Sequence, residues 1–282
     1  MAIEGIITAM VTPLEAGGAI DESATVRLIH HLLENGSDGI VVAGTTGEGS
    51  TLDDDEKCAL FGLAVAEAPD ALVIANTGSN DTAHSVRLTE RATALGVDAV
   101  FAVAPYYNKP NRRGLIEHYR AIAGATDRDV VLYNIPSRSV VDMPNDLLAE
   151  LAEIPNVSAV KQARGEDIAT IPGLDLLAGD DLLFRQVLDA GGTGGILVAS
   201  HLVGTRMRQM IDEPESRATI DESLQDLYAA LAVSTNPIPI KAALNLVGIE
   251  VGGLRLPMVD ASDDELETIG AALDRLGLRS AV

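Results

Sequence analysis

Eight short apolar runs, each followed by a longer stretch of helical period, limit how this chain can fold. The runs lie at residues 5–11, 39–43, 72–76, 99–104, 130–134, 157–161, 174–178 and 195–199. Between them are amphipathic segments such as 23–34, with Val26, Ile29 and Leu33 on one face behind an Asp21 or Ser23 cap, and 81–95, opened by Asn80. Strands that are almost continuously apolar belong to a parallel sheet covered on both faces. A closed eightfold barrel and an open doubly wound sheet both satisfy that count.

Two observations favour the barrel. No Gly-x-Gly-x-x-Gly follows the first strand, where a dinucleotide-binding open sheet carries its phosphate turn. Polar clusters instead follow strands all along the series: Thr45-Thr46-Gly47-Glu48 after the second, Tyr106-Tyr107-Asn108 after the fourth, Pro136-Ser137-Arg138 after the fifth, and Lys161 at the sixth. A barrel gathers those strand ends on one face, whereas an open sheet scatters them. The expected fold class is therefore α/β, a (β/α)8 TIM barrel over residues 1–201 closed by the following helix to about residue 211. Residues 212–282 read as an additional C-terminal helical subdomain or an oligomer contact, with a helix break at 212–215 and another marked by Pro237 and Pro239.

Charge and hydropathy exclude several functions. No apolar stretch is long enough to span a membrane, and the segment at residues 1–5 lacks the basic region of a signal peptide, so a cytoplasmic location is expected. A net charge of −22 repels nucleic acid and anionic membranes. Acid in excess with few lysines fits either a salty cytoplasm or an arginine-preferring genome; charge speaks to solubility, not fold. Cys58 is the only cysteine, and the acidic run 54–56 before it should raise its pKa, as befits a structural residue.

Lys161 stands out because it closes the apolar run Val157-Ser158-Ala159-Val160-Lys161 and has only three companions, Lys57, Lys109 and Lys241. An ammonium at the end of a buried strand is costly unless something uses it. Desolvation among apolar neighbours lowers an amine from about 10.4 toward about 7–8, which makes it a Schiff-base nucleophile. The plain alternative is a long side chain snorkelling to water. Tyr133 ends the preceding strand, where a phenol can relay protons to an imine-forming amine; without the lysine it reads as core. Thr45 and Thr46 lie in a glycine-flanked turn whose hydroxyls and amides can hold a carboxylate, although a plain turn explains them equally. Arg138, after a proline-fixed bend, can grip a second carboxylate through two parallel bonds, or else form a surface ion pair.

Together, Gly44-Thr45-Thr46-Gly47-Glu48, Pro105-Tyr106-Tyr107-Asn108-Lys109-Pro110, Tyr133-Asn134-Ile135-Pro136-Ser137-Arg138, Lys161, Gly179-Asp180-Asp181, Asn236-Pro237-Ile238-Pro239-Ile240-Lys241 and Leu254-Arg255-Leu256-Pro257 resemble the dihydrodipicolinate synthases. These are pyruvate-dependent class I aldolases, grouped with N-acetylneuraminate lyase and the ketodeoxygluconate aldolases. The resemblance implies that Lys161 forms an imine with pyruvate, that Tyr133 shuttles protons, and that Thr45 links Tyr133 to Tyr107 lent by a neighbouring subunit. It places the pyruvate carboxylate against Thr46, its methyl group under Ile196, and the carboxylate of aspartate semialdehyde on Arg138. The product would be 4-hydroxy-tetrahydrodipicolinate, for lysine or diaminopimelate synthesis, made by a homotetramer built as a dimer of dimers. No metal or organic cofactor is implied, because the lysine itself is the electron sink.

Two departures from the family pattern bear on the aldehyde partner. Gln162 stands where glutamate is usual, and Val140 where glycine is common. A third concerns regulation: lysine-inhibited relatives use residues matching Asn80 and Tyr106, but this chain has His84 in place of an acid and Lys57 in place of a histidine. That cation should weaken or abolish feedback by lysine. Rival functions are a 2-keto-3-deoxy sugar acid aldolase with the same imine, which tends to lack an arginine at position 138, and a non-catalytic small-molecule-binding barrel.

Overall fold

The computed structural model of the chain describes residues 3–279; Met1, Ala2 and residues 280–282, at the ends of the two expected segments, lie outside it. Eight parallel strands close into a barrel in sequence order: β1 (Gly5–Ala9), β2 (Gly39–Val42), β3 (Leu72–Asn76), β4 (Ala99–Val103), β5 (Asp129–Asn134), β6 (Val157–Gln162), β7 (Asp175–Ala178) and β8 (Gly194–Leu197). All eight apolar runs became strands. Closure between β1 and β8 pairs Gly5 with Gly194. A Cβ on Gly194 would sit 2.1 Å from the Gly5 carbonyl oxygen, so only glycine permits that approach.

Around the barrel run α1 (Glu22–Glu34), α2 (Asp54–Glu67), α3 (Thr82–Ala94), α4 (Arg112–Ala123), α5 (Pro136–Ser139), α6 (Asn145–Leu151), α7 (Phe184–Asp189) and α8 (Ser200–Asp212). The cap of α1 is Asp21, whose carboxylate accepts the Ala24 N–H. At α3 the cap is Asp81, not Asn80, because the Asp81 side chain reaches the Ala83 N–H. Beyond the barrel follow α9 (Arg217–Leu231), α10 (Ile238–Leu246) and α11 (Asp263–Arg275). The 212–215 break separates α8 from α9. Pro239 sits in the first turn of α10, where a missing N–H costs nothing.

Strand parity sorts the core into two shells. Ile40, Val42, Val130, Leu132 and Val160 face the helices, whereas Val41, Val131, Tyr133, Ala159, Leu177 and Ile196 face the barrel axis. Residues two apart on a strand share a face. Ala159 points inward and so, therefore, does Lys161. No helix among the described residues is long and apolar enough to cross a membrane.

Candidate active site

Lys161 pairs in register with Tyr133 on β5 and Leu177 on β7. It is 6% exposed. Its Nζ lies 4.5 Å from the Tyr133 ring centroid and 5.7 Å from that of Phe101. Those two rings stack at 4.9 Å and form a wall beside the amine. Burial pulls the amine down to about 8, while the carboxylates of Asp181 and Asp180 hold it up and the Arg138 guanidinium pushes it further down. Roughly one amine in ten is then unprotonated at pH 7, whereas an exposed lysine offers almost none.

Tyr133 is buried, which raises its phenol well above the ordinary value. The Arg138 charge and a hydrogen bond with the Thr45 side chain work the other way, and Asp180 adds to the rise. A phenol that keeps its proton at neutral pH is a donor in waiting. Thr45 and Thr46 owe their position to the turn after β2, where Ala43 and Glu48 both have positive φ, 53° each. Gly49 closes this turn because a Cβ there would lie 2.0 Å from the Ala43 carbonyl oxygen.

From the opposite side the C-terminal helices clamp the same turn. Asn236 Nδ2 donates to Thr46 Oγ1 at 2.9 Å, which leaves the threonine proton free for another acceptor. Lys241 on α10, 1% exposed, puts its Nζ 2.6 Å from Glu48 Oε1 and 2.5 Å from the Gly253 carbonyl oxygen. Glu48 Oε2 accepts the Arg255 N–H at 2.9 Å, and the Arg255 guanidinium forks onto Glu56. The run 236–241 has its physical reason in this buried ion pair, which forms only when α10 packs over the barrel mouth.

Lys161, Tyr133, Thr45, Thr46, Arg138 and Ile196 all line one cavity of about 240 Å³ at the carboxyl ends of the strands. Asp180, Asp181 and Tyr228 line it as well. Arg138 is exposed at its mouth and donates to Thr235 Oγ1 at 3.4 Å rather than to a carboxylate, so the guanidinium keeps its pairing capacity. Tyr107 is not brought there. It is 87% exposed, has φ +73°, and projects from the loop after β4.

Gln162 and Val140 do not touch the cavity. Parity turns Gln162 to the outer face of β6, where its Oε1 accepts from Asn134 Nδ2 at 3.0 Å and from the Arg164 N–H at 3.2 Å. The residue beside the lysine therefore braces the 134–143 loop instead of lining the cavity. Val140 caps α5 in the left-handed region, φ 60°, a conformation that glycine adopts with less strain. A second cleft of about 620 Å³ shares Thr45, Tyr133 and Arg138 with the first and runs past Lys57, Asn80, His84 and Tyr106. In it His84 Nε2 lies 2.8 Å from Asp54 Oδ1, and burial lowers the Lys57 amine against the pull of Asp54 and Asp53. The Cys58 thiol is pushed up by burial first, and Asp54 and Asp55 add to the rise against Arg91.

Residues 2–276 match the model of the dihydrodipicolinate synthetase family. The chain belongs to this family. Among curated relatives, the 4-hydroxy-tetrahydrodipicolinate synthase of Thermosynechococcus vestitus is 45% identical over 97% of this chain and 97% of its own length. The synthase of the same name from Bacillus velezensis is 42% identical over 98% of this chain and all of its own. Of solved structures, the DHDPS of Cyanidioschyzon merolae with lysine bound superposes with a TM-score of 0.94, at 39% identity and 98% coverage of both chains. Members of the dihydrodipicolinate synthetase family thus share this barrel along its whole length, C-terminal helices included.

Proposed function

We propose that this protein condenses pyruvate with L-aspartate 4-semialdehyde to give 4-hydroxy-tetrahydrodipicolinate, in lysine or diaminopimelate synthesis. It is a lyase of the class I aldolase type. The observation that carries the assignment of roles is a buried amine brought down to about 8, in register with a protonated phenol, under a mouth whose guanidinium pairs with no carboxylate among the described residues.

Free Lys161 attacks the pyruvate C2 carbonyl, and Tyr133, held by Thr45, protonates the departing oxygen. Thr46 holds the pyruvate carboxylate with the hydroxyl proton that Asn236 leaves free, and Ile196 covers the methyl group. Loss of a methyl proton converts the imine to an enamine, whose carbon attacks the aldehyde carbon of the second substrate. Arg138 grips that substrate's carboxylate. Its amino group then attacks C2, closes the ring and releases Lys161. Exposed Tyr107 suits a residue lent to a neighbour's relay, in a cytoplasmic homotetramer arranged as a dimer of dimers. From residue 212 to residue 279, where the described part ends, the chain acts as a helical subdomain that clamps the Thr45–Thr46 turn through Asn236 and Lys241.

The test is reduction by borohydride in the presence of pyruvate, mass spectrometry of the modified residue, and turnover of aspartate semialdehyde against 2-keto-3-deoxygluconate. An adduct on Lys161 with turnover of the semialdehyde is expected. No adduct on Lys161 sinks the mechanism. An adduct with cleavage of the sugar acid alone moves the assignment to a 2-keto-3-deoxy sugar acid aldolase.

A further inference from the structure

Asp181 lines the cavity that holds Lys161 and has no part in the scheme above. It opens a short 3-10 turn, Asp181–Leu183, just after β7. Part of the residue is exposed, but both carboxylate oxygens are tied inward: Oδ1 accepts the Val198 N–H and Oδ2 the Ala199 N–H, each at 3.0 Å. Those amides lie between β8 and α8, so the carboxylate bridges two strand ends and is held in place. It lines the same cavity as Lys161, one strand further round. Backbone carbonyls could tie two amides without placing a charge beside the cavity. A carboxylate there is costly, and burial together with the Asp180 charge pushes it up to about 7 despite the two N–H groups and Lys161. A cost of that kind points to use.

We propose that Asp181 is the counter-charge of the Lys161 iminium, a positioning residue that holds the buried cation formed when pyruvate condenses with the lysine. The inference rests on the Schiff-base reading. In that step Nζ bonds to C2, the C2–O bond breaks, and the oxygen leaves as water carrying one hydrogen from the amine and one from the acid. The nitrogen keeps its second hydrogen and a full positive charge. The free amine loses its charge as pH rises through about 8, whereas the iminium keeps it, so the cavity must accommodate a cation above that pH as well. Four other polar groups face the pair. Arg138 repels the cation, Asp180 attracts it from the neighbouring position, and Tyr133 walls one side. Tyr228, whose buried hydroxyl has no hydrogen-bond partner among the described residues, lies against the same cavity near Asp181. Asp181 alone combines an attractive charge with a double backbone anchor.

The experiment measures the rate of borohydride trapping with pyruvate against pH in the full-length wild type, Asp181→Asn and Asp180→Asn, with a thermal melt of each. Removing the Asp181 charge should move the acid limb, set by Lys161, to lower pH by about one unit. It should also raise the pyruvate needed for half-maximal trapping at pH 8 by about tenfold. Asp180→Asn should move both less. An unmoved limb in a folded Asp181→Asn protein, or an equal shift in both variants, overturns the proposal. Absence of any wild-type adduct overturns the Schiff-base reading instead. Should Asp181→Asn fail to fold, Asp181→Glu decides: a carboxylate kept on that turn must leave the acid limb and the half-maximal pyruvate within about twofold of wild type, and loss of trapping in a folded Asp181→Glu protein refutes the counter-charge.

Discussion

Replacing Lys161 by Met should abolish activity and make the protein more stable. The folded amine titrates near 8 and the unfolded one near 10.5. Below pH 8 both states hold the proton, and the folded state carries the whole cost of a buried ammonium. Between pH 8 and 10.5 only the unfolded chain stays protonated, so stability climbs with pH, and above that the cost is gone. The difference amounts to about 3 kcal/mol at pH 7 and about 1 kcal/mol at pH 9.5. Lys161→Met removes it at every pH. Urea unfolding at one fixed protein concentration should therefore show the variant ahead at pH 7, with a gap that narrows by more than half at pH 9.5. Any packing advantage of Met is independent of pH and does not alter the narrowing. A wild type as stable as the variant at pH 7, or a gap that ignores pH, would refute the argument that burial sets the reactivity of this lysine.

Other substitutions separate the remaining roles. Tyr133→Phe keeps the ring against Lys161 but loses the donor, and kcat should fall by about 10²–10⁴ with pyruvate binding nearly unchanged. Arg138→Ala should lower kcat/KM for the aldehyde by about 10–100-fold, the worth of charge-assisted bonds to one carboxylate, while pyruvate trapping at Lys161 persists; equal loss for both substrates would show a general defect. Lys241→Met strands the buried Glu48 carboxylate and should cost about 3–5 kcal/mol in thermal or urea unfolding, with Lys241→Met/Glu48→Gln recovering most of it. Lysine at millimolar concentration should barely inhibit, since Lys57 and the His84–Asp54 pair occupy the second cleft; abolished activity would contradict that.

Much of this protein was legible along the chain because strand and helix periodicity are local. The eight apolar runs fell within a residue or two of the observed strands, and the cavity holds Lys161, Tyr133, Thr45, Thr46, Arg138 and Ile196 together. Misreadings arose where orientation decides. Adjacency in sequence puts Gln162 beside the pocket, yet one step along a strand reverses the side chain. The α3 cap went to Asn80 because Asn and Asp cap equally well by type, and only backbone geometry selects Asp81.

By itself the sequence determined the α/β alternation, the family and the residues able to do chemistry, since these follow from spacing and side-chain type. Tertiary structure decided what those residues are worth. Lys161 becomes reactive because closure of the barrel buries it beside Tyr133 and Phe101, and that burial outweighs the opposing pull of Asp181 and Asp180. Glu48 and Lys241 meet across 193 positions to hold the turn that carries Thr45 and Thr46. Desolvation and charge pairing depend on distances through space, and those exist only once the chain has closed on itself.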